Sequence, residues 1–250
     1  MKKLTLLFAI LLITFSCEND DSTTPVQDPL VIAEFRPNLS ELNLFTGNLG
    51  DLNISSRVFN YELNSQLFTD YAHKQRLIAL PENTTMEYNG DGLPIFPDNT
   101  VIAKTFYYNN DERDLSLGKT IIETRVLIKI NGEWETGDYK WNEEQTEAFF
   151  TNSGNIVNIS WLEGESIKTT DYRIPSRAEC FTCHNQLDDP TPIGLKPQNL
   201  NKNYEYNDGL ANQLRKLLEF GYLNSDIPDL IDSSVPWDDD SQSLEARVRS

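Results

Sequence analysis

Two thiols and an imidazole stand side by side once in this chain, as Cys180-Phe181-Thr182-Cys183-His184. A C-x-x-C-H run is the attachment signature of haem c. Each sulfur forms a thioether with one vinyl group of the ring, and the adjacent imidazole supplies the proximal iron ligand. On a helical turn the two-residue spacer brings both sulfurs to one edge of the ring, with the histidine under the iron. Other uses of a close cysteine pair fit less well. A structural zinc site needs four ligands, and only the distant His73 is left to complete one. A thioredoxin-type pair belongs between a strand and a helix of a βαβ unit, whereas the segment before this pair reads as antiparallel strands. A disulfide across two residues would be strained.

The elements that must position the motif are legible around it. Ser176 is placed as an N-cap and Glu179 as the third helical residue, a capping-box pattern that starts a short helix carrying Cys180, Cys183 and His184. Upstream, Thr100–Tyr108 and Ile121–Ile130 are strand candidates. In the second, Ile122, Thr124, Val126, Ile128 and Ile130 are expected on one face, with Glu123, Arg125 and Lys129 on the other. Asn131-Gly132 followed by Glu133–Trp141 predicts a hairpin with a two-residue primed turn. Thr146–Phe150, Asn155–Trp161 and Lys168–Arg173 read as three further strands separated by turn residues. Residues 39–175 are therefore expected to form an antiparallel sheet or barrel-like domain, and the fold class is mainly β. Residues 176–250 are expected to form a small α-helical, cytochrome c-like haem segment. It holds a loop at 188–194, a helix with Leu210, Leu214, Leu217 and Leu218 on one face closed by Gly221, and a new helix near Ser243.

The N-terminus reads as an address. Met1-Lys2-Lys3 precedes an apolar run from Leu4 to Phe15, too short to span a bilayer and suited to a signal peptide over residues 1–16. Thr14-Phe15-Ser16-Cys17 resembles a bacterial lipobox, which makes Cys17 the lipidation site, although Thr14 stands where Leu is usual. Glu18-Asn19-Asp20-Asp21-Ser22 resembles the surface-export signal of lipoproteins in the Bacteroidetes lineage. Residues 17–38 are expected to be a flexible polar tether. The localisation implied is an outer-membrane lipoprotein on the periplasmic or cell-surface face.

Net charge is −18, and loss of Lys2 and Lys3 with the leader makes the mature chain two charges more negative. A balance of that sign argues against nucleic acid as a partner. It also argues against electrostatic binding to anionic lipid, leaving the lipid anchor as the membrane contact. It suits a soluble surface and a basic redox partner.

Several further segments carry a family resemblance. Tyr61-Glu62-Leu63-Asn64-Ser65, Leu67-Phe68-Thr69-Asp70-Tyr71-Ala72, Lys104-Thr105-Phe106-Tyr107-Tyr108, Glu123-Thr124-Arg125, Trp141-Asn142-Glu143-Glu144-Gln145-Thr146 and Cys180 to His184 form the set. Together with Pro192-Ile193-Gly194 and Asn199-Leu200-Asn201, it resembles an uncharacterised bacterial family of di-haem c-type cytochromes found beside parallel β-helix proteins. The resemblance covers most of residues 40–250. It implies a first haem on Cys180, Cys183 and His184, and a second haem motif shortly beyond a segment like Leu244-Glu245-Ala246-Arg247-Val248, where this sequence stops. A weaker likeness is to small β-rich mono-haem cytochromes that oxidise hydroxylamine or bind nitric oxide. In the former a lysine is joined to the haem, and Lys104 is a candidate only by its place in a strand.

A low-spin electron-transfer haem needs a second axial ligand, usually Met or His. Neither type follows His184, so the distal ligand is expected to be His73 or Met86, to come from further chain, or to be lacking. The first expectation is electron transfer. The alternative is a haem enzyme or sensor with an open distal site for a small substrate such as a nitrogen oxide or peroxide. A third is a binding module in which the cysteine pair serves another end.

Overall fold

In a computed structural model of the chain, residues 27–186 and 189–249 are described. The expected signal peptide, Cys17 and the acidic residues after it lie outside them. Six strands form one antiparallel sheet in chain order: β1 (Phe59–Asn60), β2 (His73–Ala79), β3 (Val101–Asn109), β4 (Lys119–Ile130), β5 (Glu133–Trp141) and β6 (Ala148–Thr151). Strands β1 and β6 are its edges, so the sheet is an open meander and not a closed barrel. The Asn131-Gly132 hairpin forms as expected. Both residues take positive φ, 53° and 89°, which closes Ile130 against Glu133 in a primed turn.

Side chains alternate between the two faces of a strand, and each face has its own cover. The first face carries Leu77, Ala79, Val101, Ala103, Val126, Ile128 and Tyr139, which pack against Leu39, Leu42 and Leu44 from the preceding segment. Val31, Ile32 and Phe35 also pack there, Ser56 N–H donates to Asp28 at 2.7 Å, and Ile32 N–H donates to the Leu42 carbonyl at 3.0 Å. Of the tether expected to reach residue 38, the part among the described residues instead packs on the sheet, because these apolar residues complete a core. Gly137 permits the approach: a Cβ there would lie 2.6 Å from Phe35 and 2.5 Å from Phe150.

The second face is covered in two places. At one end lies the hairpin of β7 (Asn155–Glu163) and β8 (Ser166–Ile174), whose Ile159, Trp161, Tyr172 and Ile174 pack on Phe106, Tyr108 and Ile122. At the other end Leu195, Leu200, Leu214, Leu217 and Leu223 share a core with Ile78, Ile102, Leu127 and Trp134. The C-terminal segment is therefore bonded into the sheet's own core. It comprises α1 (Arg177–Cys183), β9 (Asn185–Gln186), β10 (Asp189–Pro190), α2 (Pro197–Leu200), β11 (Asn203–Tyr206), β12 (Gly209–Asn212), α3 (Gln213–Glu219) and α4 (Leu244–Arg249). The fold is mainly β. No helix among the described residues is long and apolar enough to cross a membrane.

Two expectations are corrected. Leu210 belongs to β12 and is 66% exposed, because Asn212 caps α3 by accepting from the Leu214 and Arg215 N–H groups and starts the helix after it. Ile122 does not share a face with Val126 and Ile128. Pairing passes from Phe106↔Glu123 to Tyr107↔Ile121, so Ile122 is the extra residue of a β-bulge. Ile121 takes the expected place on the first face, and Ile122 turns to the second.

Candidate functional site

Helix α1 leaves β8 through Pro175 and starts at the capping box. Ser176 N–H donates to Glu179 Oε2 at 2.8 Å, and Glu179 also pairs with Arg173. Arg177 reaches Glu135 on β5 at 3.3 Å, which ties the helix to the sheet. Cys180 and Cys183 are three residues apart and so share one side of the helix. Both are free thiols; Cys180 is buried and Cys183 exposed. Burial, then the nearby Asp138 carboxyl, pushes the Cys180 thiol up from its ordinary range. That is the reverse of the depressed thiol that makes a thioredoxin-type nucleophile.

His184 is the residue just past the helix, with its N–H still bonded to the Cys180 carbonyl at 2.9 Å. The β9–β10 ribbon turns the chain back so that Thr191 meets it. Thr191 N–H donates to the His184 carbonyl at 3.2 Å, and His184 Nδ1 lies 2.9 Å from the Thr191 carbonyl. A carbonyl oxygen only accepts, so Nδ1 carries the hydrogen and Nε2 keeps its lone pair. Burial holds the His184 pKa below its ordinary value, with Lys104 and Arg125 adding to the effect, and so favours this neutral ring. A ring oriented through Nδ1 by a backbone carbonyl is the arrangement of a metal-ligating histidine.

The sheet face beneath α1 bears a row of charges. Arg76, Lys104, Arg125 and Asp138 are directly paired across β2, β3, β4 and β5. Glu123 belongs to the same face and is 0% exposed. Arg125 Nη2 and the Tyr172 hydroxyl each donate to Glu123 Oε1 at 2.5 Å, and the Arg125 guanidinium lies 4.4 Å from the Phe106 ring centre. The Asp138 carboxyl is buried against that of Glu123. Burial, then Glu123, raises its pKa well above 3.8 and favours the neutral acid. Sequence alternation had marked Glu123 and Arg125 as off the apolar face, which suggests solvent. Instead the β7–β8 hairpin covers them.

Beside this row is a cavity of about 370 Å³, lined among others by Leu63, Lys74, Arg76, Lys104, Ile193 and Trp237. Desolvation, then the charges of Arg76, Arg125 and Lys74, brings Lys104 down to about 7, and burial brings Lys74 to about 8. Sequence reading did not find this cation group. Its signal is the in-register placement of Arg76, Lys104 and Arg125, which appears only once strand pairing is known.

The two expected distal ligands sit elsewhere. His73 pairs with Tyr107 across β2 and β3 and stacks on its ring, on the first face, away from the charged row. Its Nε2 is 2.7 Å from Glu112 Oε1 and 3.2 Å from Asn109 Nδ2. Met86 is 1% exposed within the core cluster shared by the sheet and the C-terminal segment. Among the described residues, no three His, Cys, Asp or Glu side chains are grouped to hold a metal ion, and His73 is not placed to complete a zinc site with the cysteines. Compared with family models, with curated proteins and with solved structures, the chain matches none.

Proposed function

We propose that this protein is an exported c-type cytochrome that carries electrons on one haem c. The observation that supports this reading is the union of the C-x-x-C-H run with a His184 ring whose neutral form is favoured, bonded at Nδ1 and without a partner at Nε2 among the described residues. Cys180 and Cys183 would hold the haem as thioethers, and His184 would ligate its iron from the proximal side. When bound, the haem supplies one-electron chemistry at iron. The chain's own part is to fix the ring by α1, to hold the imidazole tautomer through the Thr191 carbonyl, and to set the charge around the site with Lys104, Arg125 and Glu123. Cys17 would carry the lipid anchor on the outer membrane, and the acidic surface suits a basic redox partner.

The second reading, an open haem acting on a nitrogen oxide or peroxide, is favoured by the engagement of His73 with Glu112 on the opposite sheet face. Spin state separates the two: low-spin haem that binds no nitric oxide marks a carrier, and high-spin haem that binds it marks an enzyme or sensor. The family reading, a di-haem cytochrome with its second motif further on, is tested by sequence beyond Ser250. The primary test is a pyridine haemochrome assay with mass measurement on protein matured by a periplasmic haem-attachment system. One haem per chain is expected, with complete loss in the Cys180→Ala, Cys183→Ala double variant. A mature protein with both thiols free and no porphyrin mass would refute the proposal.

A further inference from the structure

We infer that Lys74, Arg76 and Lys104 form a clamp for carboxylates in the cavity they line, and that the carboxylates are the haem propionates. This rests on the haem reading above. A chain of net charge −18 gathers three cations from two adjacent strands around one cavity. Lys104 and Lys74 make no hydrogen bond or ion pair among the described residues; the Lys104 amine lies only 5.6 Å from the Phe106 ring centre. Arg76 gives Nη1 to Glu62 and Nη2 to Gln66, each at 2.8 Å, but its Nε is buried without a partner. Arg76 Nε is thus a buried cationic donor left unpaired, which is costly, and a planar carboxylate is an acceptor that suits it together with the two part-buried lysines beside it.

Position agrees with chemistry. Cys180 lies against Thr136 and Asp138 of β5. Lys104 stands on β3 and Lys74 and Arg76 on β2, two and three strands away, which is about 10–14 Å at the usual spacing. In haem the propionates hang from the side of the macrocycle away from the vinyl groups. A ring fixed at α1 by its vinyl side and laid across the sheet would carry its propionates toward these cations. Leu63, Ile193 and Trp237 give the cavity an apolar stretch that suits a ring edge, beside polar Gln66 and Asn199 and the further cation Arg247.

The test uses haem-loaded full-length protein and the variants Lys104→Gln, Lys74→Gln and their double. Arg76→Lys is included because it keeps the charge at a buried position. Haemochrome absorbance is read first and is expected to give one haem per chain throughout, since the attachment residues are untouched. Resonance Raman bands of propionate bending are expected to shift in both single variants and further in the double. The midpoint potential is expected to fall, because a nearby cation favours ferrous over ferric iron. Lys168→Gln, on the exposed β8 strand, is expected to move neither. Full haem attachment with unmoved bands and potential in the double variant overturns the clamp while leaving the cytochrome reading intact. A saturable spectral change on adding succinate to the loaded wild type, lost in the double variant, also overturns it, by assigning the cations to a free carboxylate. Lack of attached haem in the wild type overturns both.

Discussion

The two faces of the six-stranded sheet are made by alternate residues of the same strands, yet they are built to opposite rules. On the first face most polar groups are satisfied: Thr105 and Thr124 share a hydrogen bond at 2.9 Å, and Trp141 Nε1 donates to Thr124 at 3.1 Å, although Gln75 Oε1 is buried without a partner among the described residues. On the second face, between two apolar clusters, Arg76 Nε and Arg125 Nε are buried without partners among the described residues, and the Glu123 and Asp138 carboxyls are buried against each other. Unpaired buried polar groups oppose folding. Their concentration on one face sets a first face of mostly satisfied packing against a second that carries buried charge.

Substitutions on the purified protein, followed by urea melts, sharpen that contrast. Arg125→Met removes the cation that compensates Glu123 and leaves a fully buried carboxylate with the Tyr172 hydroxyl and the Asp138 carboxyl as its neighbours. A loss of about 3–5 kcal/mol is expected, whereas a loss below about 1 kcal/mol would reduce the pair to an ordinary surface ion pair. Leu77→Ala, on the first face, is expected to cost about 3 kcal/mol through transfer and cavity terms; a negligible cost would mean that face is not the stabilising one. Asp138→Asn is expected to do the reverse and stabilise by about 1–2 kcal/mol at neutral pH. Its carboxyl has a raised pKa, so the wild type bears no ionisation cost below 3.8 and loses stability as pH rises above that value. The gain should therefore vanish in acid and open toward neutrality; a constant gap, or destabilisation at pH 7, would rule the argument out.

What could be read from the chain beforehand was local. The Asn131-Gly132 turn, the capping box at Ser176 and Glu179, and the strands flanking them depend on residues within a few positions, and the structure reproduces them. The burial of Glu123 and Arg125 was not legible, because a hairpin some 30 to 50 residues later in the sequence covers them. The helix expected to include Leu210 failed for a related reason: leucine spacing suits a helix, but β11 pairs Leu210 with Glu205. His184 was visible by its motif, while the carbonyl that sets its tautomer arrives through the β9–β10 return.

The bulge at Ile122 acts as a parity switch within β4. Reading along the strand from Ile130, every second residue faces the first core as far as Thr124; past the extra residue, that series resumes at Ile121, an odd step away. Both cores are thereby served by one continuous strand: Ile122 fills the space beneath the β7–β8 hairpin while Ile121 continues the opposite wall. Loss of one residue at this point would force the strand to choose between the two registers, so the length of β4 is as constrained here as its composition.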